Sequence, residues 1–145
     1  IDGSVKFFDE AINLETDNAK KADNAYKAAS VLASAKKLSQ ARSYAQKAIS
    51  FNENFGAPYI LIAQLYAGNY KWNDEPALNK CTFFAAIDKL QRAKAVDPSV
   101  AEEANKLISS YSAYTPEAKD LFMLGYKAGD RITIGGWIGE TTTIR

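Results

Sequence analysis

Histidine is missing from all 145 residues. That removes Ser-His-Asp and Cys-His nucleophilic catalysis, histidine general bases and nearly every common zinc or iron site. Cysteine occurs once, at Cys81, so no disulfide can form within the chain, and the redox compartment stays open. Charge of one sign is missing too. Eighteen Lys and Arg balance 17 Asp and Glu, which leaves no electrostatic footprint for a nucleic-acid partner. No apolar run approaches the ~20 residues that span a bilayer, and no charged-then-apolar signal peptide opens the chain. It starts Ile1-Asp2-Gly3 without an initiator methionine, which reads as a processed chain or a C-terminal piece of a longer one. Its compartment, exported or cytoplasmic, is not readable.

What is present is Ala, Lys, Leu and Gln over most of the length, the usage of helices. One interval carries a spaced pattern. In GAPYILIAQLYAG, Tyr59, Ile62, Ala63 and Tyr66 follow aromatic-x2-bulky-small-x2-Tyr. In FFAAIDKLQRAKAVDPSV, Ala86, Leu90, Ala93 and Pro98 follow Ala-x3-bulky-x2-Ala-x4-Pro. Two antiparallel helices approach closely only where a small side chain lets the backbones meet, and Ala63 and Ala86 would be those points. The pattern recurs upstream: Ala29 and Leu32 in one helix, then Ala41, Ala45 and Ala48, with Glu53 in the proline place. A third echo is Phe8 with Ala11. The interval from Ala48 to Ala93 exceeds a period of ~34 by roughly 11 residues. The turn-rich stretch Ala67 to Cys81 accommodates that excess as an insertion.

These two halves resemble the tetratricopeptide repeat, with Tyr for Trp, Ala for Gly and Leu for Phe in its signature. The resemblance implies an all-α fold, a right-handed superhelix of antiparallel helix pairs over residues 1–128. The expected helices are 4–15, 19–35 with 39–51, 56–68 with 81–96, 99–114 and a short 116–125. Ser99 and Glu102 form an S-x-x-E capping box that predicts a helix start. Thr115 with Pro116 predicts another. Lys20-Lys21 and Lys36-Lys37 read as solvated helix faces.

The final 17 residues change character. RITIGGWIGETTTIR is rich in Ile, Thr and Gly, the usage of strands and turns. Residues 129–145 are expected to form a β-hairpin that covers the open end of the helical stack. The turn is either tight at Gly139-Glu140 or a wider loop from Gly135 to Glu140 with Trp137 at its tip. Trp137 either packs on the last helix or offers an exposed aromatic to a ligand.

The resemblance implies a non-catalytic scaffold for a protein or peptide, gripped in a concave groove lined by the first helix of each repeat. By helical phase that surface comprises Ile60, Gln64 and Ala67, preceded by Tyr26, Ser30 and Ala33 and followed by Asn105, Ser109 and Ser112. The family's two-carboxylate clamp needs Lys, Arg and Asn; only Asn105 is of the right type. The alternative is a sugar or small ligand on the insertion, where Tyr70, Trp72, Asn73, Asp74 and Glu75 set aromatics beside polar groups. The paired carboxylates Asp74-Glu75 and Glu102-Glu103 carry no catalytic pattern, and Cys81 reads as a packing residue. No cofactor and no metal is expected.

Overall fold

Alanine decides how the first helices meet. In the computed structural model, which describes residues 2–145, α2 spans Asn18–Ser34 and α3 spans Leu38–Phe51. Buried clusters join Ala25 to Ala48, Ala29 to Ala45 and Leu32 to Ala41. The rising number on one helix meets the falling number on the other, so the pair is antiparallel. Each of these alanines is fully buried. The Asp17 carboxylate starts α2 by accepting from the amides of Ala19 and Lys20. The turn after α2 closes with the Lys37 amide on the Leu32 carbonyl and the Lys36 amide on that of Ala33. That is a Schellman closure, with Lys36 at φ 60 in the place glycine usually takes. Lys36-Lys37 is therefore a turn and the N-cap of α3, not a helix face.

Preceding them, α1 (Asp2–Leu14) packs on α2 through Ile12. The Tyr44 hydroxyl donates to both Asp9 oxygens, at 2.7 and 2.9 Å, and ties α1 to α3. Beyond α3, α4 (Ala57–Gly68) packs against α2, α3 and α6 (Thr82–Val96). Ala63 and Ala86 are fully buried, as is Tyr66. Burying a large apolar side chain of this kind stabilises by roughly 1.5–3 kcal/mol. A five-residue helix, α5 (Pro76–Lys80), lies inside the insertion. After α6 comes a 3-10 turn at Pro98–Val100, then α7 (Ala101–Ser112) and the short α8 (Ala118–Met123).

Two helix starts differ from the sequence expectation. Asp97, not Ser99, caps the α6–α7 turn, accepting from the Ser99 amide and hydroxyl. Its other oxygen accepts from the Gly56 amide at 2.9 Å, which locks the α3–α4 turn to the α6–α7 turn. A Cβ on Gly56 would stand 2.5 Å from Val100 and 2.8 Å from Asp97, so the two turns meet this closely only at glycine. Thr115 donates to the Ser112 carbonyl and closes α7 rather than opening α8.

The chain ends in a two-stranded antiparallel hairpin, β1 (Arg131–Thr133) on β2 (Thr141–Thr143), with Ile132 opposite Thr142. The connection is the wider loop; the Ile134 amide bonds the Glu140 carbonyl at its neck. Ile132, Ile134, Ile138 and Ile144 are buried within the same core as α4 and α6. The hairpin is thus a wall of the helical core, seated on α6 and reaching α3, and does more than close an end. Its seat is ionic at the rim: Thr142 and Arg145 bond Asp88, and Lys89 pairs with Glu140.

Candidate functional site

The second half of α4 presents two faces. One carries Tyr66, over which the tail folds. The Arg42 guanidinium donates to the carbonyls of Trp137 (2.8 Å) and Ile138 (2.6 Å) and to the Tyr66 hydroxyl (3.1 Å). It also lies 5.1 Å from the centre of the Trp137 ring, which meets the Tyr66 ring edge-on at 5.5 Å. Burial first, and Glu140 second, push the Tyr66 phenol well above its ordinary range, with Arg42 opposing. Trp137 is therefore packed, on α3 and α4 rather than on the last helix.

The other face of α4 carries Gln64, Ala67 and Gly68, one helical turn apart. It forms one wall of an open cleft of about 460 Å³ completed by Tyr70, Lys80, Phe83, Tyr111 and Tyr114. Phe83, near the start of α6, is the buried hub. Its ring centre lies 5.1 Å from Tyr70, 5.9 Å from Tyr111 and 5.5 Å from Tyr114, the last stacked at 28°. Tyr114 is 57% exposed and forms the outer wall. Burial raises the Tyr111 phenol above its ordinary range, so its hydroxyl offers a neutral hydrogen-bonding group at neutral pH.

The insertion places Tyr70 by folding back on itself. The Asn79 side-chain oxygen accepts from the amides of Trp72 (2.8 Å) and Asn73 (2.7 Å). The Trp72 indole donates to the Leu78 carbonyl at 3.2 Å, and the buried Thr82 hydroxyl donates to the Tyr70 carbonyl at 2.9 Å. The Trp72 ring lies on Gly135 of the tail, where a Cβ would come within 2.8 Å of it. Trp72 is thus held between insertion and tail, half-buried, and still lines a shallow surface with Lys71, Asn73 and Asp74. Asn73 and Asp74 sit on a shallow open surface, Asn73 turning its oxygen to the Glu75 amide, and Glu75 caps α5.

The groove residues divide. Gln64 lines the cleft, beside Tyr70 of the insertion. Ile60, expected to face a partner, is only 4% exposed and belongs to the main core. The reason is the helix itself: the first half of APYILIAQLYAG is apolar on nearly every side, and a helix of that kind is buried all round. Tyr26 packs edge-on against Phe55 at 5.4 Å, and Ser30 lies in a separate shallow depression beside Val31 and Ser34. Asn105 accepts from Lys94 at 2.9 Å, and Ser109 is exposed. The cleft that Gln64 lines includes none of these five residues. Sequence reasoning missed Phe83, Tyr114 and Lys80. The available signal was Tyr111 and Tyr114, three apart near the end of an expected helix 99–114, where both would point the same way; the helix in fact ends at Ser112 and Tyr114 follows in the turn.

Among the described residues no group of three or more His, Cys, Asp or Glu side chains is placed to hold a metal ion. No described helix is long and apolar enough to cross a membrane. Glu102 faces solvent and pairs with Lys106 one turn on. Cys81 is buried, which pushes its thiol up to about 11 and away from the thiolate that nucleophilic chemistry needs. Comparison with models of protein families, with curated proteins and with solved structures finds no match for this chain.

Proposed function

We propose that the chain is a tetratricopeptide-like helical repeat module, a non-catalytic scaffold that binds a protein or peptide partner. Support for the repeat reading comes from packing: each long helix lies against the next in chain order, and α2 also meets α4. Among the alanines of the pattern, Ala29, Ala45, Ala63, Ala86 and Ala93 are buried within one core, and Ala41 and Ala48 in two smaller clusters. The single observation that carries the binding reading is the aromatic cleft. Four aromatic side chains from three separate segments converge on a space inside the ~300–1,000 Å³ range typical of ligand sites, and part of it stays open to solvent. Rings of this kind give large contact area at little entropic cost, and Gln64 with the tyrosine hydroxyls can meet the backbone of an extended segment.

The test is panning of a displayed random-peptide library on the wild type, with counter-selection on Gly68→Leu. A Cβ at Gly68 meets nothing within 4 Å, so the leucine grows into the cleft without disturbing the fold. Peptides retained by wild type and lost by the variant support the reading; absence of any enriched peptide contradicts it. The alternative, a sugar or small ligand, is favoured by the same observation, because Tyr70 of the insertion lies in this cleft. Binding on a glycan array that is lost in Tyr114→Ala would select it.

A further inference from the structure

Three sides of the aromatic cleft belong to the helical stack: Gln64 and Gly68 on α4, Phe83 on α6 and Tyr111 on α7. The remaining side is the insertion, which contributes Tyr70 and Lys80. Packed helices hold their side chains in place, but an insertion has to be braced from elsewhere if its side chains are to keep a binding geometry. The brace on this one is Trp72. It stands between the two cleft residues: two positions after Tyr70, and bonded by its amide and indole to Asn79 and Leu78, just before Lys80. The Trp72 ring in turn lies against the tail at Gly135. Gly135 does not have a left-handed φ, unlike Gly136 at φ 68. The backbone therefore does not require glycine there; the ring does, because a Cβ would stand 2.8 Å from it.

Resting on the binding reading above, we propose that the tail sets the shape of the cleft through Trp72. Gly135 fixes where the indole lies, and the indole fixes the loop that carries Tyr70 and Lys80. Gly135 and Trp72 are positioning residues: neither lines the cleft. The physical means is contact. A methyl at position 135 obliges the ring to retreat from 2.8 Å to the ~3.5 Å of ordinary carbon contact. The ring does not move alone, because its nitrogen is bonded to the Leu78 carbonyl at 3.2 Å. The displacement therefore passes to the loop on both sides of it. Thr82 holds the Tyr70 carbonyl at 2.9 Å, which anchors one end of the loop and leaves the stretch from Lys71 to Asn79 dependent on Trp72.

The experiment labels the whole chain with fluorotyrosine and follows it by fluorine NMR, the Tyr70 signal being assigned through Tyr70→Phe. Circular dichroism checks that each variant is folded. Gly135→Ala should move the Tyr70 signal and weaken the library peptides at least about threefold, the lower part of the range for coupled neighbours. Thr142→Val, which loosens the tail at Asp88 instead, should leave both unchanged. In a Trp72→Ala background the methyl has no ring to push, so adding Gly135→Ala should change neither any further. Should Trp72→Ala not fold, the first two variants decide. A Tyr70 signal unmoved by Gly135→Ala overturns the inference, and so does a moved signal with unchanged affinity. Equal effects of Gly135→Ala and Thr142→Val, or of the methyl with and without Trp72, overturn it as well. The fluorine signal is read without ligand, so the two readings fail separately: a moved signal beside an empty library removes peptide binding and keeps the coupling of tail to cleft.

Discussion

Two aromatic clusters sit on opposite sides of the same helical turn of α4. Tyr66 and Trp137 form one with Arg42, and it is sealed. Tyr70, Phe83, Tyr111 and Tyr114 form the other, and it is open. Ring chemistry alone does not tell them apart: each contains tyrosine, and each has one cation beside the rings. The difference is where a distant segment lies. Seventeen residues of tail cover the first cluster, and nothing described covers the second. Both tryptophans, the residues a sequence reader marks first for ligand contact, went to the sealed side or under the tail. The aromatic lining of the open cleft is Tyr70 of the insertion, Phe83 of α6, Tyr111 of α7 and Tyr114 just beyond α7. A binding aromatic and a packing aromatic differ by their cover, and cover is a tertiary property.

That contrast can be broken most forcefully by removing the cover. Truncation after Ala128 removes four buried isoleucines from the core, each worth roughly 1.5–3 kcal/mol, against a total domain stability of ~5–15 kcal/mol. The shortened chain should lose its cooperative thermal transition by circular dichroism. Unchanged melting would show that the tail is an accessory and not part of the core.

Single side chains sharpen the same contrast. Tyr66→Ala should cost about 3–5 kcal/mol in urea denaturation, as for other large buried aromatics. Tyr114→Ala should cost about 1 kcal/mol or less, while weakening ligand binding tenfold or more. Similar stability losses for both would mean that the open cluster is structural too. Arg42→Ala removes two charge-assisted bonds to tail carbonyls and should cost about 2–4 kcal/mol. Arg42→Lys should recover only part of that, because one ammonium cannot replace the planar fork. Full rescue by lysine would reduce the contact to charge alone.

The smallest effect lies away from both clusters and serves as the reference. The Ser99 hydroxyl first, and the Gly56 amide second, hold the Asp97 carboxyl below its ordinary value of 3.8. A carboxyl lowered in the folded state contributes stability that is complete above its unfolded value and is lost as the pH falls through the folded one. Asp97→Asn should therefore cost about 1 kcal/mol at pH 7, and the gap from wild type should close below about pH 4. A gap independent of pH would assign the loss to geometry and not to the charge.

Much of the helical layout was readable because it depends on local periodicity. The alanines of the repeat pattern from Ala29 to Ala93 are buried where the spacing placed them, Ala11 of the first echo only partly, and most helix boundaries shifted by only a residue or two. Capping was less readable: Asp97 displaced Ser99 because it also serves Gly56, 41 residues away, a partner no local pattern contains. The site was read in halves. Gln64 was chosen by helical phase and Tyr70 by composition, as rival surfaces, and the fold brings them into one cleft. Ile60 failed because phase says which way a side chain points but not whether another helix already stands there.

By itself, the sequence determined that this chain is mostly helical, that its helices meet through alanine, and that it ends in a β-hairpin. These follow from propensity and period, which act within a few residues. Only the tertiary structure decided that the hairpin is a wall of the core, that the tryptophans pack, and that an aromatic cleft stays open with Lys80 at its edge. Those outcomes depend on segments up to 96 residues apart, such as Arg42 and Ile138, finding one another in space. No local rule reaches that far.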